Sequence, residues 1–136
     1  MSYSRIIPVE FNHCDPAGIV FYPRYFEMLN SVVENFFGEV VGVSFAMMMQ
    51  DGTGVPTARV EVNFRAPSRL GDRLDFTLEV TRVGGSSVGF TVRAEGAGEL
   101  RLVADLTLVR VMGGRPAGWT EAMRARLVRH LVEAGA

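Results

Sequence analysis

A single change in hydrophobic period governs what this chain can fold into. Tyr25, Phe26, Leu29, Val32, Val33, Phe36, Phe37 and Val40 recur at steps of three and four, the apolar stripe of a helix. After Val55 the step falls to two. Val60, Val62 and Phe64 alternate with Glu61, Asn63 and Arg65, and Leu74, Phe76, Leu78 and Val80 alternate with Asp75, Thr77, Glu79 and Thr81. Val88, Phe90, Val92 and Ala94 continue the pattern, then Leu100, Leu102, Ala104, Leu106 and Leu108. Turn formers separate the runs at Pro67 to Asp72, Gly84-Gly85 and Gly96 to Gly98. This reads as an antiparallel meander of four strands with one face buried.

The flanks complete the element order. Tyr3 to Asn12 reads as a strand that Pro8 places at an edge or bend. Pro23 suits a first helical turn, and Gly38 marks the expected stop. Ser44 to Asp51 predicts a second short helix, and Thr120 to Leu131 a terminal amphipathic one. In the latter Thr120 is the N-cap, Met123, Leu127 and Leu131 share a face, and Arg124, Arg126 and Arg129 are solvated. The apolar helix and one sheet face must cover each other. The expected fold is therefore α+β: a curled antiparallel sheet wrapped around a long central helix, the hotdog arrangement. Such a sheet leaves a long edge strand, and pairing with a second copy completes it.

Composition narrows the functional classes. The 136 residues make one domain, 1–136, with 48% hydrophobic residues for a core. A net charge of −1 implies no nucleic-acid or anionic-membrane partner. All 14 basic residues are arginine, which excludes Schiff-base chemistry on lysine. Cys14 stands alone, so no intramolecular disulfide forms. Neither a signal peptide nor a membrane-length apolar run is visible, and a cytoplasmic location follows as the expectation. Metal-ligand spacing and glycine-rich nucleotide motifs are absent.

The informative stretch is His13 to Tyr25, HCDPAGIVFYPRY. It sets Asp15 in a tight turn between a strand and a buried helix. The amides of Tyr22 and Arg24 at the helix start face outward with the positive end of the helix dipole, while Pro23 has no N–H. A carbonyl held between Asp15 and those amides would be polarised on one side and attacked from the other, each well-aimed donor being worth roughly 3 kcal/mol of barrier. The plainer alternative is that Asp15 only shapes an Asx turn before Pro16, with Gly18 left-handed.

Cys14-Asp15-Pro16-Ala17-Gly18-Ile19-Val20 and Tyr22-Pro23 resemble the signature of the 4-hydroxybenzoyl-CoA thioesterase family of hotdog proteins. The resemblance implies hydrolysis of an acyl-CoA without metal or cofactor, CoA being part of the substrate. It also implies a homodimer or dimer-of-dimers tetramer with its sites at the dimer interface. On this pattern Asp15 is nucleophile or general base, and the Tyr22 amide holds the oxyanion. Gly18, Phe21, Tyr25 and Asn30 border the acyl group, which is aromatic, such as 4-hydroxybenzoyl, or short to medium in length. Arg82, Arg65 and Arg59 are candidates for the CoA phosphates.

Two departures stand out. His13 takes a position that is often acidic in aryl-CoA members, and Arg82 is the lone arginine of a turn where relatives carry a basic cluster. His13 beside Asp15 would suit a hydratase, the first alternative, and requires both side chains to share one pocket. A non-catalytic module binding acyl-CoA or acyl carrier protein is the second. Cys14 reads as a small packed residue, and Met47-Met48-Met49 as core or as an adaptable acyl-pocket wall.

Overall fold

Pro8 ends the first strand. A computed structural model describes residues 2–132, with β1 at Tyr3–Pro8 instead of reaching Asn12. The next residues close into a 3-10 turn, Phe11–His13, because Glu10 and His13 cap each other. The Glu10 carbonyl accepts from the His13 amide at 3.0 Å, and His13 Nδ1 accepts from the Glu10 amide at 2.8 Å.

Helix α1, Pro23–Phe36, buries Tyr25, Met28, Leu29, Val32, Val33 and Phe36. Gly38 does not stop it. The helix widens into a π turn at Phe37–Val41 and ends at Gly42, whose φ of 86° is the left-handed conformation that glycine takes without strain. Phe36 and Phe37 are both fully buried, and their rings stand 5.4 and 6.2 Å from Phe90 of the sheet. Truncating either to alanine removes about 3–5 kcal/mol. Helix α2, Phe45–Asp51, starts where the Ser44 hydroxyl accepts from the Met47 amide at 3.1 Å.

The main sheet runs in the order β1-β4-β5-β6-β3. β4 (Arg73–Val83), β5 (Ser87–Gly96) and β6 (Glu99–Val109) form the expected meander. β3 (Thr57–Phe64) corrects it, for it pairs with β6 and not with its sequence neighbour β4. The connection from Arg65 to Asp72 is too long for a tight hairpin and crosses the ends of β6 and β5. Three short segments absent from the expectation, β2 (Thr53–Gly54), β7 (Val111–Met112) and β8 (Arg115–Pro116), form a small second sheet.

Helix α3 is Glu121–Arg129, with Thr120 capping the Met123 amide at 3.2 Å. It ends before Leu131, which instead bridges Val80 of β4. Two of its arginines are tied down and not merely solvated: Arg124 donates to Gly84 O at 2.8 Å, and Arg126 to Val40 O at 3.2 Å.

The helix lies on one sheet face, where Leu74, Phe76, Val92, Leu102 and Ala104 are fully buried with it. The hotdog architecture is thus present. β3 is its open side. Val60 and Phe64 were expected to face a core, yet they are 41% and 48% exposed. Their strand is the last of the sheet, and among the described residues no strand pairs with its outer edge.

Candidate functional site

The turn carrying Asp15 is a closed hairpin. Asp15 N–H donates to Ile19 O at 3.0 Å, Cys14 bridges Val20, and Phe21 N–H donates to His13 O at 2.9 Å. Inside it Asp15 Oδ1 accepts from the Ala17 amide at 2.9 Å, and Gly18 takes φ 80°. The Asx turn is therefore real, and it uses one carboxylate oxygen. Oδ2 accepts from no group among the described residues, so shaping the turn does not exhaust the side chain. The carboxylate is half-buried.

Helix α1 begins directly beyond this hairpin. Tyr22 is its N-cap residue in helical geometry, without a side-chain cap and with no acidic residue in the first turn. The dipole's positive end is thus left unneutralised there. Of the two amides expected to be free, Arg24 N–H is taken by Phe21 O at 2.9 Å, because the first turn is tight and bonds back three residues. The Tyr22 amide alone has no acceptor among the described residues. Its surroundings are aromatic: the Tyr22 ring stands 5.7 Å from Phe21 and 6.5 Å from Phe64.

A cavity of about 430 Å³ lies between α1, α2, β3 and β6. Phe26, Leu29, Asn30 and Val33 form its helix wall, Met48 and Met49 its α2 wall, and Thr57, Val60, Leu106 and Leu108 its strand wall. Asn30 and Thr57 are its polar side chains, and no ionisable one lines it. The helical spacing of Tyr22, Phe26, Asn30 and Val33 puts them on one face of α1, so this wall starts one turn beyond the free amide.

The other expected residues scatter. Asn30 is on the cavity wall, though it also approaches Glu34 Oε1 at 3.4 Å. Phe21 is exposed beside Tyr22, whereas Tyr25 is 4% exposed and packs on Phe64 at 5.6 Å, away from the cavity lining. Arg65 shares the Asp15 end of the sheet, next to Arg101 of β6. Arg82 is at the other end of β4, nine residues beyond Arg73, or about 30 Å at the rise of a strand. One chain does not bring these two arginines together.

His13 points elsewhere. It lines a smaller hollow of about 240 Å³ with Arg5, Glu10, Glu27 and Ser31, and Asp15 lines neither space. The shared pocket that a hydratase pair requires is not formed. Cys14 Sγ donates to Glu10 O at 3.6 Å, a packed thiol.

The sequence profile of the thioesterase-like superfamily matches residues 9–127. This chain belongs to that superfamily. Among solved structures, a 1,4-dihydroxy-2-naphthoyl-CoA thioesterase from Synechocystis superposes with TM-score 0.86 at 18% identity, over 94% of this chain and 96% of that one. The gentisyl-coenzyme A thioesterase BH1999 gives 0.85 at 19% identity, over 92% and 99%. A Staphylococcus aureus protein, SAV2348, solved in complex with CoA, gives 0.90 at 13% identity, over 98% and 87%. No curated protein sequence matches the chain.

In this thioesterase-like superfamily member, two parts of the candidate site were hidden from the sequence. Val60 reads there as one core residue among many, and only its place on an edge strand makes it a cavity wall. Arg101 reads as a solvent-facing residue of an alternating strand but is 6% exposed and bound to the loop beside the Asp15 hairpin.

Proposed function

We propose that this superfamily member hydrolyses an acyl-CoA thioester to a free acid and CoA. The carrying observation is the free Tyr22 amide at an unneutralised helix start, one turn from an apolar cavity and directly after the hairpin whose Asp15 carboxylate keeps a free oxygen. The thioester carbonyl oxygen accepts from the Tyr22 N–H, and the acyl group lies along Phe26 and Asn30. Asp15 Oδ2 either attacks the carbonyl carbon, expelling the thiolate and forming an anhydride that water opens, or takes a proton from the attacking water. In both routes the negative charge develops on the oxygen at the amide. The residues named carry the reaction without a metal or cofactor.

A cavity of about 430 Å³ falls in the range that holds a small ligand, and its lining favours an uncharged acyl group. Aromatic acyl groups, 4-hydroxybenzoyl among them, and short or medium aliphatic chains fit that description. The neighbours that act on naphthoyl and gentisyl thioesters, and the one that holds CoA, support the same class. The exposed aromatic edge at β3 supports a homodimer or dimer-of-dimers. In it Arg65 meets the CoA phosphates from the site's own chain, and Arg82 only from a second copy. A cytoplasmic location agrees with a CoA substrate, and among the described residues no single helix is long and apolar enough to cross a membrane.

The test is release of free thiol from a panel of aromatic and aliphatic acyl-CoA thioesters. Turnover of at least one class is expected. Tight binding of the panel with no thiol released would overturn the proposal in favour of a binding module.

A further inference from the structure

Arg101 is a buried cation on β6, and three of its guanidinium's four hydrogen bonds go to one loop. Nη1 donates to Asp72 Oδ2 at 2.7 Å, Ser68 Oγ at 3.1 Å and Pro67 O at 3.2 Å, while Nη2 donates to Gly96 O at 3.1 Å. Nε faces the exposed Glu99 carboxylate at 3.1 Å without the alignment of a hydrogen bond. Gly96 leaves room for this: a Cβ there would stand 2.9 Å from Nη2, and a guanidinium held by four acceptors has little freedom to yield.

The loop that Arg101 grips holds both ends of the Asp15 segment. On the entry side, Val9 N–H donates to Asp72 O at 2.7 Å, and Gly71 N–H donates back to Val9 O at 3.0 Å. On the exit side, Val20 N–H donates to Ser68 O at 2.9 Å, and Ile19 bridges Arg69. Ile19 O in turn accepts from the Asp15 amide at 3.0 Å. Ser68 and Asp72, the two side chains that Arg101 binds, thus belong to the residues whose carbonyls take the Val20 and Val9 amides. We infer that Arg101, with Asp72, is a positioning residue that fixes the Asp15 hairpin against the start of α1. It touches no reacting atom, and its effect on rate passes through Asp15.

This inference rests on the thioesterase reading for its kinetic test but not for its structural one. Arg101→Lys keeps the charge and loses the fork. Asp72→Asn keeps the shape, and carries the test if the lysine variant does not fold. Both are compared with wild type by melting, by kcat and KM on the best acyl-CoA, and by amide hydrogen exchange at Val9 and Val20. A hairpin displaced by about an ångström lowers kcat by up to about a hundredfold, with KM little changed. Exchange at both amides quickens about tenfold or more, because local opening becomes easier. On an Asp15→Asn background the second substitution adds no further loss. Unchanged exchange, or a loss of kcat that persists in full on the Asp15→Asn background, overturns the inference. Should the wild type release no thiol, the thioesterase reading fails alone, and the exchange comparison still decides the role of Arg101.

Discussion

Asp15 Oδ1 accepts the Ala17 amide at 2.9 Å while Oδ2 faces no donor among the described residues. One side chain therefore serves the turn and keeps a reactive oxygen. Asparagine preserves the first role, since its carbonyl accepts the same amide, and abolishes the second. Asp15→Asn is expected to melt close to wild type and to lose roughly 10²–10⁴-fold in kcat on acyl-CoA. In a single turnover in oxygen-18 water, label found in the Asp15 carboxylate marks the nucleophilic route, since only water attack on the Asp15 carbonyl of an anhydride places it there.

Asn30 is the one amide side chain on the wall of an apolar cavity. Replacing it with leucine keeps the branched shape and removes the hydrogen-bonding group. Asn30→Leu should raise KM for hydroxyl-bearing aromatic acyl-CoAs by about tenfold, the worth of a hydrogen bond, and leave unsubstituted ones within a factor of about two. Steady-state kinetics on matched pairs of thioesters checks this.

The edge strand β3 offers an unpaired backbone edge flanked by the exposed Val60 and Phe64. A charge at its centre opposes association of two copies. Val60→Asp is expected to turn the proposed dimer into a monomer in sedimentation velocity and, because Val60 also lines the cavity, to lower thiol release. Unchanged sedimentation would place the interface elsewhere.

Burial, and then the hydrogen bond it donates to Glu39 at 2.7 Å, push the Tyr3 phenol up to about 12. The unfolded chain ionises it near 10, so the neutral phenol's contribution to stability is complete below about pH 10 and lost as pH rises through about 12. Urea unfolding across that window should show stability falling with pH in wild type, and a flatter limb in Tyr3→Phe. The substitution also removes the donor to Glu39.

What the sequence disclosed follows from what periodicity encodes. It tells which way a side chain faces along its own element, and so the α1 stripe, the β4 to β6 strands and the Asp15 turn were legible. It does not tell which strand lies beside which. β3 carries the same alternation as β4, and only the crossing at Arg65 to Asp72 makes it an edge with its apolar residues uncovered. Arg24 looked available because its amide sits in the first turn. The backward bond to Phe21 depends on how tightly the chain turns at Pro23, which spacing does not specify. Arg101 was invisible for a related reason, since three of its four acceptors come from a loop about thirty residues earlier, and two of those are a backbone and a hydroxyl oxygen.

The position of β1 in the sheet bears on how the protein is made. Tyr3 pairs with Leu78 and Pro8 with Arg73, so β1 leaves the ribosome well before its partner in the sheet and has no neighbour there until β4 has been synthesised. Helix α1 emerges meanwhile with its aromatic stripe uncovered. Pairings so distant in sequence form slowly, and the nascent chain is most exposed to aggregation and to chaperones before β4 appears. The β4-β5-β6 meander is built from neighbouring hairpins, so local contacts favour it as the platform onto which β1 docks.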